Sequence, residues 1–304
     1  TRWVLSANLS YQYDWNRNSA ARSEESLVLG VPTPLSGSST RQDDLAVNGL
    51  VRLSFEHDLA TQARNAMVGS LAYYGGEQVQ QDNLDLQALF ADWGYKLDFA
   101  PVTVTPLVLY KNIRLARQAY LGVVGTSTNV QYAYSSTLSG FVAAKVEQMS
   151  FHNTSGTTTA TERNGRNYQL TTGGTYIVSP HHRLQVTFEH TRNSAGRSWE
   201  SYNRDGVSLN HTWLVGGGAF LLNSFTTNLD RYDGADTFIS RLTRRDNTVR
   251  LRTTFGVPLG ALIEVSESFA GVSLTASAEM YRQMSTITNY SYNNYRFSLG
   301  VSKI

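Results

Sequence analysis

The chain has 304 residues, of which 41% are hydrophobic and only 16% charged, with a net charge of +2 and no cysteine. Soluble domains carry roughly 25% charged residues; here the mean hydropathy is nevertheless negative, at −0.30, because uncharged polar residues and 17 tyrosines fill the gap. These values exclude a basic field for nucleic acid and a disulfide framework or thiolate metal site. With no run of about eighteen apolar residues they also exclude a transmembrane helix.

Residues 3–15, WVLSANLSYQYDW, place Trp3, Leu5, Ala7, Leu9, Tyr11, Tyr13 and Trp15 on one parity and Ser6, Asn8, Ser10, Gln12 and Asp14 on the other. A period of two is a β-strand with one apolar and one polar face. It is long against the usual length of about 5–6 residues. The segment 45–59 repeats the pattern, with Leu45, Val47, Val51, Leu53 and Phe55 opposed to Asn48, Arg52, Ser54, Glu56 and Asp58. Weaker candidates follow at 65–75, 84–97, 102–113, 119–134 and 138–151. In 84–97 the apolar parity switches near Leu89 and Phe90, which reads as a β-bulge. In 102–113 both faces are apolar and Pro106 sits mid-run, where a missing N–H is normally confined to edges and bulges.

Clear alternation returns at 167–178, 183–190 and 206–215, weakens at 219–231, and is clear again at 247–257, 272–281 and 295–303. The total is about fourteen strands, an even number as in bacterial barrels. Long polar connections (16–44, 76–83, 152–166, 191–201, 231–242, 283–292) alternate with short ones near 60–64, 98–101, 135–138, 179–182 and 216–218. The run 258–270 departs from that alternation and reads as a short helix or folded turn.

Residues 1–304 are therefore read as one all-β domain: a closed antiparallel transmembrane β-barrel with short periplasmic turns and long extracellular loops. Lipid covers the apolar faces, and a polar lumen meets the others. Closure is required, because an unpaired strand edge in hydrocarbon leaves backbone groups unsatisfied. The outer membrane of a Gram-negative bacterium is the expected location. Tyr11, Tyr13 and Trp15 at one end, and Tyr176, Trp213 and Phe255 at the other, are candidates for aromatic girdles. A soluble sandwich, propeller or solenoid would share the alternation. No repeat of about 20–50 residues supports the last two, and the strands are long for the first.

The sequence carries no H-E-x-x-H, G-x-S-x-G or Walker loop, so no catalytic residue, cofactor or metal is assigned. His181 and His182 are adjacent in a turn and point apart. His57, His152, His190 and His211 lie near strand ends, with no spacing that marks a hydrolase. Arg52, Glu56, Glu147, Glu189, Arg250, Arg252, Glu279 and Arg296 fall on polar parity and are lumen-lining candidates. On the lipid face at mid-depth each would cost about 2–4 kcal/mol. They form either a salt-bridged network that props the barrel or the lining of a conduit, and their mixed signs favour neither cations nor anions. The loop 16–44 is long enough to fold inward as a constriction or to lie at the surface.

The two ends resemble the C-terminal barrel of the surface lipoprotein assembly modulators. At the start, a Trp-led strand runs into an Asp-x-Asn-x-Asn element, matched by Asp14, Asn16 and Asn18. At the end, RRDNTVRLRTTFGVPLG is similar to the family's penultimate hairpin and VSLTASAEMYRQMSTITNYSYNNYRFSLGVSKI to its closing one, with Ser285, Tyr290, Tyr292, Asn294 and the terminal Ser302-Lys303. Residues 60–230 match only in barrel pattern, and barrels that export polysaccharide share a similar ending. The resemblance implies export of a protein cargo, a surface lipoprotein or small secreted binding protein, without covalent chemistry or nucleotide. It also implies a periplasmic tetratricopeptide domain earlier in the same chain and a final aromatic residue after Ile304. An exopolysaccharide-export barrel and a passive diffusion porin are the alternatives.

Overall fold

Side chains that alternate between apolar and polar hold one face of each strand toward hydrocarbon and the other toward water, and fourteen such strands join edge to edge. The computed structural model describes residues 1–264, 266 and 269–303. The barrel strands are β1 (Arg2–Asp14), β4 (Asp44–Asp58), β5 (Ala66–Gln78), β6 (Leu86–Phe99), β7 (Val102–Leu115), β8 (Gln118–Ala133), β9 (Leu138–Phe151), β10 (Gly165–Ser179), β11 (His182–Ala195), β12 (Tyr202–Gly216), β13 (Ala219–Tyr232), β14 (Arg245–Pro258), β15 (Val272–Ser285) and β16 (Tyr292–Lys303). Each pairs antiparallel with its neighbours, and β1 closes the cylinder by pairing with β4 on one side and β16 on the other. The closing ladder runs from Ala7↔Lys303 to Asp14↔Arg296.

The burial pattern is inside out. Trp3, Leu5, Tyr11 and Leu299 are 60%, 61%, 67% and 68% exposed, whereas Asp14, Asn294 and Asp44 are 0%, 1% and 2% exposed. An apolar exterior that runs around all fourteen strands far exceeds the patches that soluble monomers leave in water, so hydrocarbon is what covers it.

Connections on the rim where β1 ends are mostly long: 15–43, 79–85, 152–164, 196–201, 233–244 and 286–291. We call this the loop rim. Its exception is the two-residue turn at Ala116 and Arg117, both with positive φ (47° and 63°). On the opposite, turn rim the connections 100–101, 134–137, 180–181 and 217–218 are short, 59–65 has seven residues, as many as 79–85 on the loop rim, and 259–271 is longer, with Leu259–Ala261 forming a single 3-10 turn. Of the expected helix or folded turn at 258–270, Val265, Glu267 and Ser268 lie outside the described residues.

The bulge expected near Leu89 and Phe90 is absent. β6 keeps one register with β5 from Ala66↔Lys96 to Gly76↔Leu86. Odd residues of β6 face out throughout, and Phe90 points into the lumen with Asp92 and Lys96. The parity looked broken because a wide lumen tolerates an inward aromatic. The irregularities lie instead at Ile113/Arg114, Ile177/Ser179 and Leu214/Gly216, each beside a tight turn.

Pro106 is inside β7 and pairs with Thr128 of β8. Toward β6 the ladder lapses between Gly94↔Leu107 and Leu97↔Val104, which is where a residue without N–H can be placed. Gly94 belongs to the same accommodation, since a Cβ there would lie 2.0 Å from the Pro106 carbonyl oxygen. Within 16–44 the structure adds a hairpin of β2 (Glu25–Val28) and β3 (Val31–Pro34), turned at Leu29 and Gly30 with φ of 51° and 81°.

Leu50 and Val51 are neighbours on β4 with opposite faces: Leu50 shares the inward parity of Arg52, and Val51 is 50% exposed on the outside. Val51→Arg is expected to cost about 2–4 kcal/mol in urea titration of the liposome-inserted barrel, and Leu50→Arg under about 1 kcal/mol.

Candidate functional site

The inward parity collects the charged residues into separate networks. On the wall of β14, β15, β16 and β1, the Arg296 guanidinium donates to Asp14 (2.9 Å) and Glu279 (3.2 Å), and Glu279 also meets Arg250 at 3.6 Å. Arg252 shares that wall on β14 without an ion pair among the described residues. Between β12 and β13, Arg204 makes a two-point contact with Asp230 (2.7 and 2.6 Å), and Arg244, the last residue before β14, binds Asp246 at 2.5 Å. Arg244 also lies over the rings of Tyr290 (3.5 Å) and Tyr232 (4.5 Å), a geometry in which the ring faces attract the cation.

The rest of the wall is organised likewise. Glu56 accepts from Lys96 at 3.0 Å, and Arg52 donates to Ser70 (3.0 Å), with Asp92 at 3.9 Å. Glu147, nearly buried, is held by Lys111 (2.5 Å) and Lys145 (3.4 Å). Gly125 makes that fit possible, because a Cβ there would sit 2.9 Å from the Glu147 side chain. Glu189 accepts from Thr191 (3.0 Å) and lines a cavity of about 460 Å³ with Arg163, Glu200, Tyr202 and Arg204.

Of the eight lumen candidates, only Arg250, Glu279 and Arg296 come together. The sequence reading missed Asp92, Lys96, Lys111 and Lys145, and the Arg204–Asp230 and Arg244–Asp246 pairs. Strict odd-out parity along β6 would have found Asp92 and Lys96.

At the loop rim, the first turn of the 15–43 connection folds into the mouth. Asn16, Ala20 and Ala21 are buried. The Asn16 amide N–H donates to Asn294 Oδ1 (2.9 Å), its side-chain Nδ2 donates to the carbonyls of Ala20 (3.1 Å) and Asn293 (2.9 Å), and Asn294 Nδ2 donates to Asp14 Oδ1 (2.6 Å). Arg17 reaches the Leu84 carbonyl (3.2 Å) and lies 3.7 Å from Asp14. The hairpin beyond it is lashed to the far loops: Leu29 N–H and Gly30 N–H donate to the carbonyls of Phe238 and Ile239, and Leu27 N–H to Asn289 Oδ1. A second brace joins 152–164 to 196–201 through Arg163–Glu200 (3.4 Å) and Arg197–Glu162 (3.8 Å).

Tyr11 and Tyr13 stand at the loop end of β1, Tyr13 donating to Asp43 (2.9 Å), and Trp15 packs edge-on against Tyr295 (5.5 Å). Tyr176, Trp213 and Phe255 stand near the turn ends of β10, β12 and β14, exposed on the outside. His182 stacks on His211, and His190 pairs with Asp205 (2.8 Å). Among the described residues no His side chain hydrogen-bonds to a serine hydroxyl, and no group of three metal-ligating side chains gathers.

No family model and no curated protein matches the chain. Among solved structures, the outer membrane channel DcaP of Acinetobacter baumannii is similar over 99% of this chain and 96% of its own, with a TM-score of 0.52 and 7% identity. OccAB3 of the same organism covers 99% and 98%, with a TM-score of 0.49 and 8% identity. The COG4313 outer membrane channel of Pseudomonas putida F1 covers 98% and 94%, with a TM-score of 0.46 and 14% identity. The fold is that of an outer-membrane β-barrel. With its apolar exterior, the chain resides in the outer membrane of a Gram-negative bacterium.

Arg296→Ala, which strips the buried Asp14 carboxylate of its nearest cation, is expected to cost about 3 kcal/mol or more in unfolding titrations. Outside the barrel wall, hydrogen bonds from Arg192 (2.8 and 2.5 Å) hold the Asp233 carboxyl below the usual carboxylate range. That contribution is fully present above the ordinary carboxylate pKa and is lost as pH falls through the depressed value. Carboxyl-carbon NMR should show Asp233 titrating low in the native protein and returning to the ordinary range in Arg192→Gln.

Proposed function

We propose that the chain is a diffusion channel for small polar solutes, with a mouth narrowed by the 15–43 loop. One observation carries this reading: inward-facing residues at mid-height remain open to solvent. The Arg52 and Arg250 side chains are 52% and 49% exposed, and the inward-pointing Leu50 is 37% exposed. Eight-stranded barrels are filled by their own side chains. Here fourteen strands leave space, and paired charges line it. Passage needs no covalent step. The lining supplies hydrogen-bond donors and acceptors to a solute that sheds part of its water, and near-balanced pairs leave little preference for either sign of ion. The likeness to a known outer membrane channel supports the same reading.

A second reading, export of a protein cargo with a periplasmic tetratricopeptide domain of the same chain, rests on the resemblance of the two ends. Polysaccharide export rests on the weaker similarity of the closing hairpin.

In planar bilayers the channel reading expects steady conductance steps with a cation-to-anion permeability ratio of about one. Excising residues 23–37 and bridging the gap with Gly-Ser, which keeps the Asn16 turn, is expected to enlarge the steps. A barrel that carries no current in either form fits the export reading and contradicts the channel.

A further inference from the structure

The lipid-facing parity is apolar over most of the barrel, but at the loop ends of β11–β14 it turns cationic. Arg192, Asn203, Arg231 and Arg245 are successive register partners across these four strands, all on outward positions. Neighbouring strands lie about 4.8 Å apart, so Arg231 and Arg245 are directly opposed like charges, an arrangement that destabilises a sheet unless something neutralises it. The nearby carboxylates are largely committed: Asp233 to Arg192 (2.8 and 2.5 Å), and Asp205 to His190 (2.8 Å) and, at 3.4 Å, to Arg231. Arg245 has no carboxylate partner among the described residues, nor does Arg282, exposed on the next strand opposite Val249.

Two concavities meet here. One of about 290 Å³ is lined by Leu229, Arg231, Arg245, Asn247, Met284 and Thr286, and by Asp230 and Asp246, whose carboxylates are held by Arg204 and Arg244. The other, of about 500 Å³, shares Leu229 and Asn247, meets Glu189 and the paired His190 and Asp205, and continues down the wall between Leu170, Phe188 and Val207. A cationic ledge thus stands above an apolar groove on a surface that faces lipid.

We propose that this exterior site holds one phosphate-bearing lipid of the outer membrane, its phosphate bridging Arg231 and Arg245 and an acyl chain lying in the groove below. A phosphate between two guanidiniums replaces their repulsion with charge-assisted hydrogen bonds, for which the guanidinium fork is suited. The groove supplies the apolar contact that a free phosphate would not use, and the site sets the phosphate layer of that leaflet at the height of Arg231.

Native mass spectrometry of the full chain in detergent tests the proposal, with diphosphoryl lipid A and the same lipid stripped of phosphate as probes. The wild type is expected to retain the phosphorylated lipid at least about tenfold better than the stripped one, and Arg231→Gln/Arg245→Gln to lose that preference. Heat-modifiable electrophoretic mobility checks that the double variant is folded. If it is not, the wild-type preference is read against salt and is expected to shrink as ionic strength rises. Equal retention of both lipids, a preference indifferent to salt, undiminished retention by the folded double variant, or displacement of the lipid by inorganic phosphate alone would each overturn the assignment.

Discussion

Hydrocarbon offers a backbone amide no partner, and every other feature of this molecule follows from that. Fourteen strands have twenty-eight edges to satisfy, and the last two are met only when β1 finds β16. The closing ladder is fastened at its loop end by buried polar groups: Asp14 receives Asn294 and Arg296, and Asn294 in turn receives the first backbone N–H beyond Trp15. A carboxylate with no exposure is tolerable because a guanidinium and an amide satisfy it. The clamp joins residues about as far apart in sequence as the chain allows, and it also directs the first loop into the mouth.

That arrangement bears on the likeness at the two ends. Asp14, Asn16 and Asn294, which carry much of the resemblance to cargo-exporting barrels, face one another across the seam. The Ser285 backbone N–H donates to Ser291 Oγ (2.9 Å), holding the last loop. All are explained by the work of closing a barrel. The resemblance at these positions thus speaks to how the cylinder is sealed.

The strands were legible because alternation over a dozen residues, as in Trp3–Tyr13, has no helical reading, and because Arg and Glu at mid-depth have only one face available. The register of β6 was not legible: inward Phe90 is permitted by a lumen too wide to be crowded, and periodicity alone takes it for a slip. The hairpin inside the first loop was hidden by its two prolines, which the exposed ladder of β2 and β3 accommodates. Pairings such as Arg204–Asp230 and Lys111–Glu147 depend on which strands are neighbours and at what offset. So does the exterior row through Arg231 and Arg245, whose residues lie on four different strands and meet only through register.

Closure can be tested without interference, because the chain has no cysteine. Tyr11 and Leu299 are register partners across the β1–β16 seam, both outward. In a Tyr11→Cys/Leu299→Cys variant inserted in outer membranes, mild oxidation should form an intramolecular disulfide in nearly every folded molecule. A folded, membrane-inserted variant whose two thiols stay free would contradict the sealed cylinder.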